Sequence, residues 1–257
     1  MLESPAPLDE SLRFSLVVPL YNEEENVAAL LAELDEVLPA LASQFECLLV
    51  DDGSTDGTRE LLLAASGERP WLRVLSLREN RGQSTALCAG FDQARAPVLL
   101  MMDGDLQNDP RDFDRILRGI ESGDWDAVSG IRAKRKDRWI RRVSSKIANR
   151  IRNWLTGDHV VDSACGLKGF RRQLFRRMPR FHGMHRFLPT LARMVGGRVT
   201  EIDVNHRERH AGTAKYGVSN RALRALRDVF GLRWLRTRLV LYELRAEQET
   251  GKGDGES

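Results

Sequence analysis

The amino-acid sequence predicts an α/β chain: a mainly parallel sheet with helices on both faces, followed by basic amphipathic helices in the C-terminal half. Three observations predict it. Short apolar runs bounded by turn formers alternate with stretches of helical spacing. Polar clusters follow four of those runs, where the strands of an open parallel sheet end and ligands bind. Charge is divided along the 257 residues: residues 1–130 carry 10 Lys and Arg against 25 Asp and Glu, a net of −15, while residues 131–257 carry 30 against 12, a net of +18. Such a division suits a chain that handles a cation with one half and a phosphate or anionic surface with the other.

The elements follow in order. Residues 1–12, MLESPAPLDESL, lack the basic start and apolar middle of a signal peptide and predict a flexible lead. RFSLVVPLY (13–21) reads as a strand, and Leu30, Leu31, Leu34, Val37 and Leu38 then recur at helical spacing. FECLLV (45–50) is the second strand, and DDGSTDGT after it is a turn whose Ser54, Thr55 and Asp56 favour an Asx turn and a helix cap. A helix through 60–65, a strand LRVLSL (72–77), a helix 84–94, the strand 98–102, a helix 113–120 and a short strand DAVSG ending at Gly130 complete the alternation. From Arg132 to Arg152 ten residues are Lys or Arg and only Asp137 is acidic, with Ile140, Val143, Ile147, Ile151 and Trp154 spaced as one helical face. A second basic helix is expected over 219–245, with Leu223, Leu226, Phe230 and Trp234 on one face, before a disordered tail 246–257. Both helices fit a membrane interface, their cationic side chains reaching lipid phosphates. No recognised nucleic-acid motif appears, and no apolar run approaches the roughly 20 residues of a bilayer span. Cys47, Cys88 and Cys165 are an odd, scattered set without metal-ligand spacing, which fits a reduced cytoplasmic compartment.

LLMMDGDLQNDP (99–110) ends a buried strand with paired carboxylates. Ionised groups there require water, hydrogen bonds or a cation. Alternation along a strand puts Asp103 and Asp105 on one face, and Gly104 permits close backbone approach. The residues alone leave two readings open, a solvated turn and a divalent-metal site. Asp109 reads as a solvated cap for the helix after Pro110.

VVPLYNEEENV, LLVDDGSTDGT, RENRGQSTALCAGFDQA and MMDGDLQNDP together resemble the glycosyltransferase family 2 domain with its GT-A fold, over about residues 13–130. QNDP, SGIR, DSACGLKGFRR and NHRERHAGTAKYG resemble, within it, the polyprenyl-phosphate sugar synthases, the group that contains dolichyl-phosphate mannose synthase. The resemblance implies one GT-A domain over 13–218, with a nucleotide-sugar half (13–130) and an acceptor half (131–218). It implies inverting transfer of a sugar from GDP-mannose or a UDP-sugar to undecaprenyl or dolichyl phosphate at the cytoplasmic membrane face. Pro19, Tyr21, Asn22, Glu23, Asp51, Asp52, Arg81 and Gly82 match positions around the nucleotide, with Asp103, Gly104 and Asp105 beside the diphosphate. Asp103, Asp105 and Gln107 match the holders of Mg²⁺ or Mn²⁺. Arg132, Arg207, Arg209 and Lys215 match phosphate-binding positions, and Asp162 an acidic position that orients a phosphate-binding Arg or acts on the acceptor. His206 and His210 read as loop or phosphate contacts, and Cys165 as a packed thiol. A phosphate acceptor is already anionic and needs orientation; a glycan or lipid hydroxyl would need a general base. A non-catalytic membrane- or nucleic-acid-binding protein of the same fold is the remaining alternative.

Overall fold

A computed structural model describes residues 4–132, 160–207 and 218–240, with side chains given outside 218–226. Its elements run β1 (Phe14–Leu20), α1 (Glu24–Leu41), β2 (Phe45–Asp51), α2 (Thr58–Ser66), β3 (Leu72–Ser76), α3 (Gln83–Gln93), β4 (Val98–Met101), α4 (Phe113–Glu121) and β5 (Ala127–Arg132). Then come β6 (Lys168–Arg171), α5 (Arg172–Arg177), α6 (Leu188–Met194), β7 (Val199–Val204) and α7 (Val218–Arg238). Short 3₁₀ turns occupy Pro110–Asp112 and Met184–Arg186.

The strands form one sheet in the order β3-β2-β1-β4-β6-β5-β7. β1, β2, β3 and β4 are mutually parallel, and β5 pairs parallel with β7. β6, which the sequence reading leaves out along with β7, runs antiparallel between β4 and β5. Its four residues, Lys-Gly-Phe-Arg, have no alternation long enough to read. Because β6 reverses twice over, β5 still points the same way as β4, so Arg132 ends on the same rim as Asp103.

Period-two alternation feeds two cores. Phe14, Leu16, Val18 and Leu20 face α1, α2 and α4, burying Leu30, Leu34, Leu62, Ile116 and Ile120. Val17, Leu48, Val50, Leu99 and Met101 face α3 and the C-terminal helices, burying Phe91, Phe175, Leu188 and Leu191. Gly90 of α3 lies directly on Val17 and Val50, where a side chain would overlap them.

One expectation changes and one is refined. The lead is tied down from Ala6 onward: Ala6 N–H donates to Asp92 O at 2.8 Å, Asp9 N–H to Arg95 O at 2.9 Å, and Leu12 is buried. On α7 the inward face is Val229 and Leu232, while Phe230 and Trp234 are exposed, at 55% and 63%. The sequence spacing set both aromatics on one apolar face read toward a membrane interface; Val229 and Leu232, which it did not name, pack inward. The basic helix over 133–155, together with Arg209, His210 and Lys215, lies outside the described residues.

Candidate active site at the carboxyl ends of the strands

The site starts from a difference in strand length. β4 pairs with β1 only as far as Val17↔Met101, whereas β1 runs three residues further beside β2. The chain after Met101 therefore turns over the sheet at the β1/β4 boundary, where the strand order reverses and a crevice opens. Gly104 lies against Leu20, with an ideal Cβ 3.1 Å from Leu20 Cγ, so the turn is drawn close to the end of β1.

Around that crevice the β1 and β2 loops are laced together. Asn22, held at φ +52°, donates its N–H to Ser54 Oγ at 2.9 Å and accepts from Thr55 N–H at 2.8 Å. Glu23 N–H donates to Thr58 Oγ1 at 2.9 Å, and the Glu23 carboxylate accepts from Asn26 at 2.6 Å. Asn22 and Glu23 thus shape the rim. Pro19 and Tyr21 flank it, partly exposed. Asp51 is fully buried; its Oδ1 accepts from Ser54 N–H at 3.0 Å, while Oδ2 has no hydrogen-bond partner among the described residues. A buried acceptor of this kind fits a donor from a bound molecule. Asp52 accepts from Arg81 N–H at 2.9 Å and Asn80 at 3.2 Å; burial pushes its carboxyl up, against the backbone N–H groups of Arg81 and Gly82. Gly82, at φ +87°, opens α3, and the Arg81 side chain pairs with Glu79 in solvent.

Asp103 accepts from Gln83 Nε2, on the first residue of α3, at 2.8 Å, and its N–H donates to Asn108 Oδ1 at 3.2 Å. Burial first and the Asp105 carboxylate second push the Asp103 carboxyl above its ordinary range, with Lys168, Gln83 and Arg132 opposing. Asp105 Oδ1 accepts from Gln107 N–H at 3.2 Å, and Leu106 between them is left-handed at φ +61°. Gln107 Nε2 reaches Arg207 O at 3.5 Å, leaving its amide oxygen as acceptor. Two carboxylates, Asp105 raising the proton affinity of Asp103, form with the Gln107 amide oxygen a hard oxygen set; Mg²⁺ or Mn²⁺ fits it when phosphate oxygens complete the shell. Among the described residues no cluster of three or more His, Cys, Asp or Glu that could hold a metal ion is present.

Arg132 grips Asp162 bidentately, Nε to Oδ2 at 2.7 Å and a terminal nitrogen to Oδ1 at 2.8 Å, both side chains largely buried. Glu201 of β7 holds the Asp162 N–H at 3.2 Å. Behind Asp103 lies Lys168, 1% exposed, whose ammonium donates to Cys165 O; burial lowers its pKa while Asp103 and Asp162 oppose. Gly166 lies so close to the Asp103 carboxylate that any side chain would overlap it. Burial keeps the Cys165 thiol's pKa raised, in keeping with a packed thiol. The Arg207 guanidinium bonds Glu33 at 2.7 Å and Asp109 at 2.8 Å. Asp109 does cap its turn, accepting from Arg111 N–H at 3.1 Å, but is also ion-paired.

The sequence reading passed over Gln83, Asn108, Lys168 and Glu201. Gln83 had a signal, since it opens the helix after the third strand and so faces the same rim. Lys168, a lone charge in CGLKGF, had a weaker one. Asn108 and Glu201 act through partners that only folding brings near.

A family model described as Glycosyl transferase family 2 matches residues 15–178. The undecaprenyl-phosphate 4-deoxy-4-formamido-L-arabinose transferase of Serratia proteamaculans (strain 568) is 38% identical over 208 residues, 80% of this chain and 63% of that protein. The protein of the same description from Edwardsiella ictaluri (strain 93-146) is 36% identical over 206 residues, 79% of this chain and 63% of its own length. The chain thus spans under two thirds of these relatives. Among solved structures, a mannosyltransferase from Pyrobaculum calidifontis in complex with GDP-Man and Mn²⁺ is similar with a TM-score of 0.59 at 20% identity, covering 91% of this chain and 72% of that one. Glucosyl-3-phosphoglycerate synthase from Mycobacterium tuberculosis, with Mn²⁺, UDP and its product, is similar with a TM-score of 0.61 at 18% identity, covering 88% and 80%. The architecture is therefore that of the GT-A glycosyltransferases.

Proposed function

Starting from the fact that this chain belongs to glycosyl transferase family 2, we propose that it transfers a sugar from a nucleotide sugar to a polyprenyl phosphate, with inversion, at the cytoplasmic face of a membrane. The observation that carries the reading is the meeting, on one rim, of buried Asp51, the Asp103–Asp105 pair with Gln107, and the Arg132–Asp162 pair.

Asp51 Oδ2 is the acceptor for the nucleobase, and the laced 22–58 rim bounds the ribose. Asp103, Asp105 and Gln107 would hold Mg²⁺ or Mn²⁺, which when bound screens the charge that develops on the departing diphosphate. Gln83 keeps Asp103 oriented toward the crevice. The acceptor phosphate attacks without a base, being already anionic. Arg132, fixed by Asp162, orients it, and Arg209 and Lys215 are proposed to complete the phosphate site. Asp162 is committed to Arg132 through both oxygens, an arrangement that suits an orienting role better than proton removal from a hydroxyl. Undecaprenyl phosphate is the acceptor to try first, since it is named in the relatives' descriptions. Phe230 and Trp234, exposed on α7 beside Arg227 and Arg233, are proposed to rest in the lipid interface. No described helix is long and apolar enough to cross a membrane.

The test is a donor panel. UDP- and GDP-sugars are incubated with the protein, Mn²⁺ and undecaprenyl phosphate, and lipid-linked product is sought by mass spectrometry. A glycosyl phospholipid is the expected product; nucleotide release only with a hydroxyl acceptor would replace this reading.

A further inference from the structure

The acidic turn after β4 is held from outside, and the holder is not in the crevice. Leu106 sits in the left-handed region at φ +61°, uncommon for a residue with a Cβ, and such backbone persists where surrounding contacts over-determine it. Within the turn, Asp103 N–H donates to Asn108 Oδ1 and Gln107 N–H to Asp105 Oδ1, both at 3.2 Å. Besides Gln83 on Asp103 and the packing of Gly104 and Gly166, restraint comes from the segment after β7. Arg207 N–H donates to Gln107 O at 2.9 Å, Gln107 Nε2 reaches back to Arg207 O at 3.5 Å, and Asn108 forms a β-bridge with His206. The Arg207 side chain then anchors that segment, bonding Glu33 of α1 at 2.7 Å and Asp109 at 2.8 Å. Arg111 extends the lattice to Glu36 at 2.6 Å, and Asn205 N–H closes it on Asp112 at 2.6 Å.

We propose that Arg207 is a positioning residue: clamped to Glu33 and Asp109, it fixes the 103–109 turn in the geometry that receives the metal-bound diphosphate, and it is not itself a phosphate ligand. The proposal rests on the family 2 reading for what the turn binds, but not for the clamp. The sequence presents Arg207 as one more cation in HRERH; its place beside Glu33, 174 positions away along the chain, gives it another task.

Hydrogen exchange of the intact protein, read by mass spectrometry over the peptide spanning 103–109, tests the clamp without any ligand. Arg207→Met and Glu33→Gln should each speed exchange there roughly three- to tenfold, in line with one or two partly exposed ion pairs. The double variant should be no worse than the worse single one. Arg207→Lys, with one point of attachment, should fall between; should Arg207→Met not fold, Arg207→Lys and Glu33→Gln carry the comparison. Mn²⁺ affinity, read by electron paramagnetic resonance, should weaken in parallel, while the KM for acceptor stays unchanged. Unchanged exchange in Glu33→Gln, or tighter acceptor binding because its guanidinium is released, would overturn the clamp. Exchange that responds as expected in a protein that moves no sugar would overturn the family reading alone.

Discussion

Asp103 stands two residues from Asp105 and opposite buried Lys168. Asp103 is desolvated and its carboxyl raised, so ionisation there opposes folding. The sign follows from linkage: a raised folded pKa contributes most below the unfolded value of about 3.9, and the contribution is lost as pH rises through the folded one. Asp103→Asn should therefore leave thermal stability at neutral pH unchanged or raised, while lowering turnover roughly 10²–10³-fold, as loss of a group at developing charge does. A melting curve beside an activity assay checks both; a destabilised variant would contradict this account of Asp103. Asp162→Asn should keep one hydrogen bond to Arg132 and lose the charge, raising the acceptor KM about tenfold with residual turnover. Near-complete loss of kcat would point to a general base and a hydroxyl acceptor.

Elements place these groups to within a side chain's reach. α3 lies flat on β1 and β2 because Gly90 has no Cβ, and that approach lets Gln83 at its start meet Asp103. Gly90→Ala would press a methyl into Val17 and Val50. The expected cost is about 1–3 kcal/mol of stability, as for other overpacked cores, with a weaker apparent affinity for donor. Gly67→Ala, whose Cβ would meet nothing closer than 3.6 Å, is the control and should melt unchanged. β6 matters for a different reason. Its antiparallel insertion brings Lys168 and the Cys165–Gly166 turn behind Asp103 and joins β4 to β5 through one strand.

Across the whole molecule, charge both ties the sheet together and divides it. Glu46, 2% exposed, accepts from Ser15 of β1 at 2.7 Å, from Arg73 of β3 at 2.8 Å and from Arg95 before β4 at 2.6 Å. Burial alone would raise its carboxyl, but those bonds hold it below the ordinary range. Its stabilisation is then fully present above the unfolded pKa of about 4.3 and is lost as pH falls through the lower folded value. Glu46→Gln should cost about 2–4 kcal/mol at pH 7, and the gap to the parent should narrow in urea melts taken progressively below pH 4. On the outside, Phe230→Ser with Trp234→Ser should weaken sedimentation with anionic vesicles several-fold and leave the melting temperature unchanged, since both rings are exposed. Equal sedimentation of variant and parent would remove α7 from the membrane reading.

By itself the sequence determined the alternation of the first five strands and their helices, and with it the rim on which LYNEE, DDGST and DGDLQ would meet. Those features are local: apolar period, turn chemistry and the rule that ligands gather at strand ends in an open sheet. β6 and β7 were not legible, because the four residues of β6 carry no period, the six of β7 are mostly half-exposed, and a strand's partner is a non-local fact. The same holds for Asp162, which reads alone as a turn carboxylate and folds as the fixed partner of Arg132. The Arg207–Glu33 ion pair, 174 positions apart, and the inward Val229 and Leu232 of α7 show the limit most sharply. Composition gives a cation its charge and a ring its apolarity, but whether they meet a phosphate, a carboxylate or solvent is decided by what the fold sets opposite them.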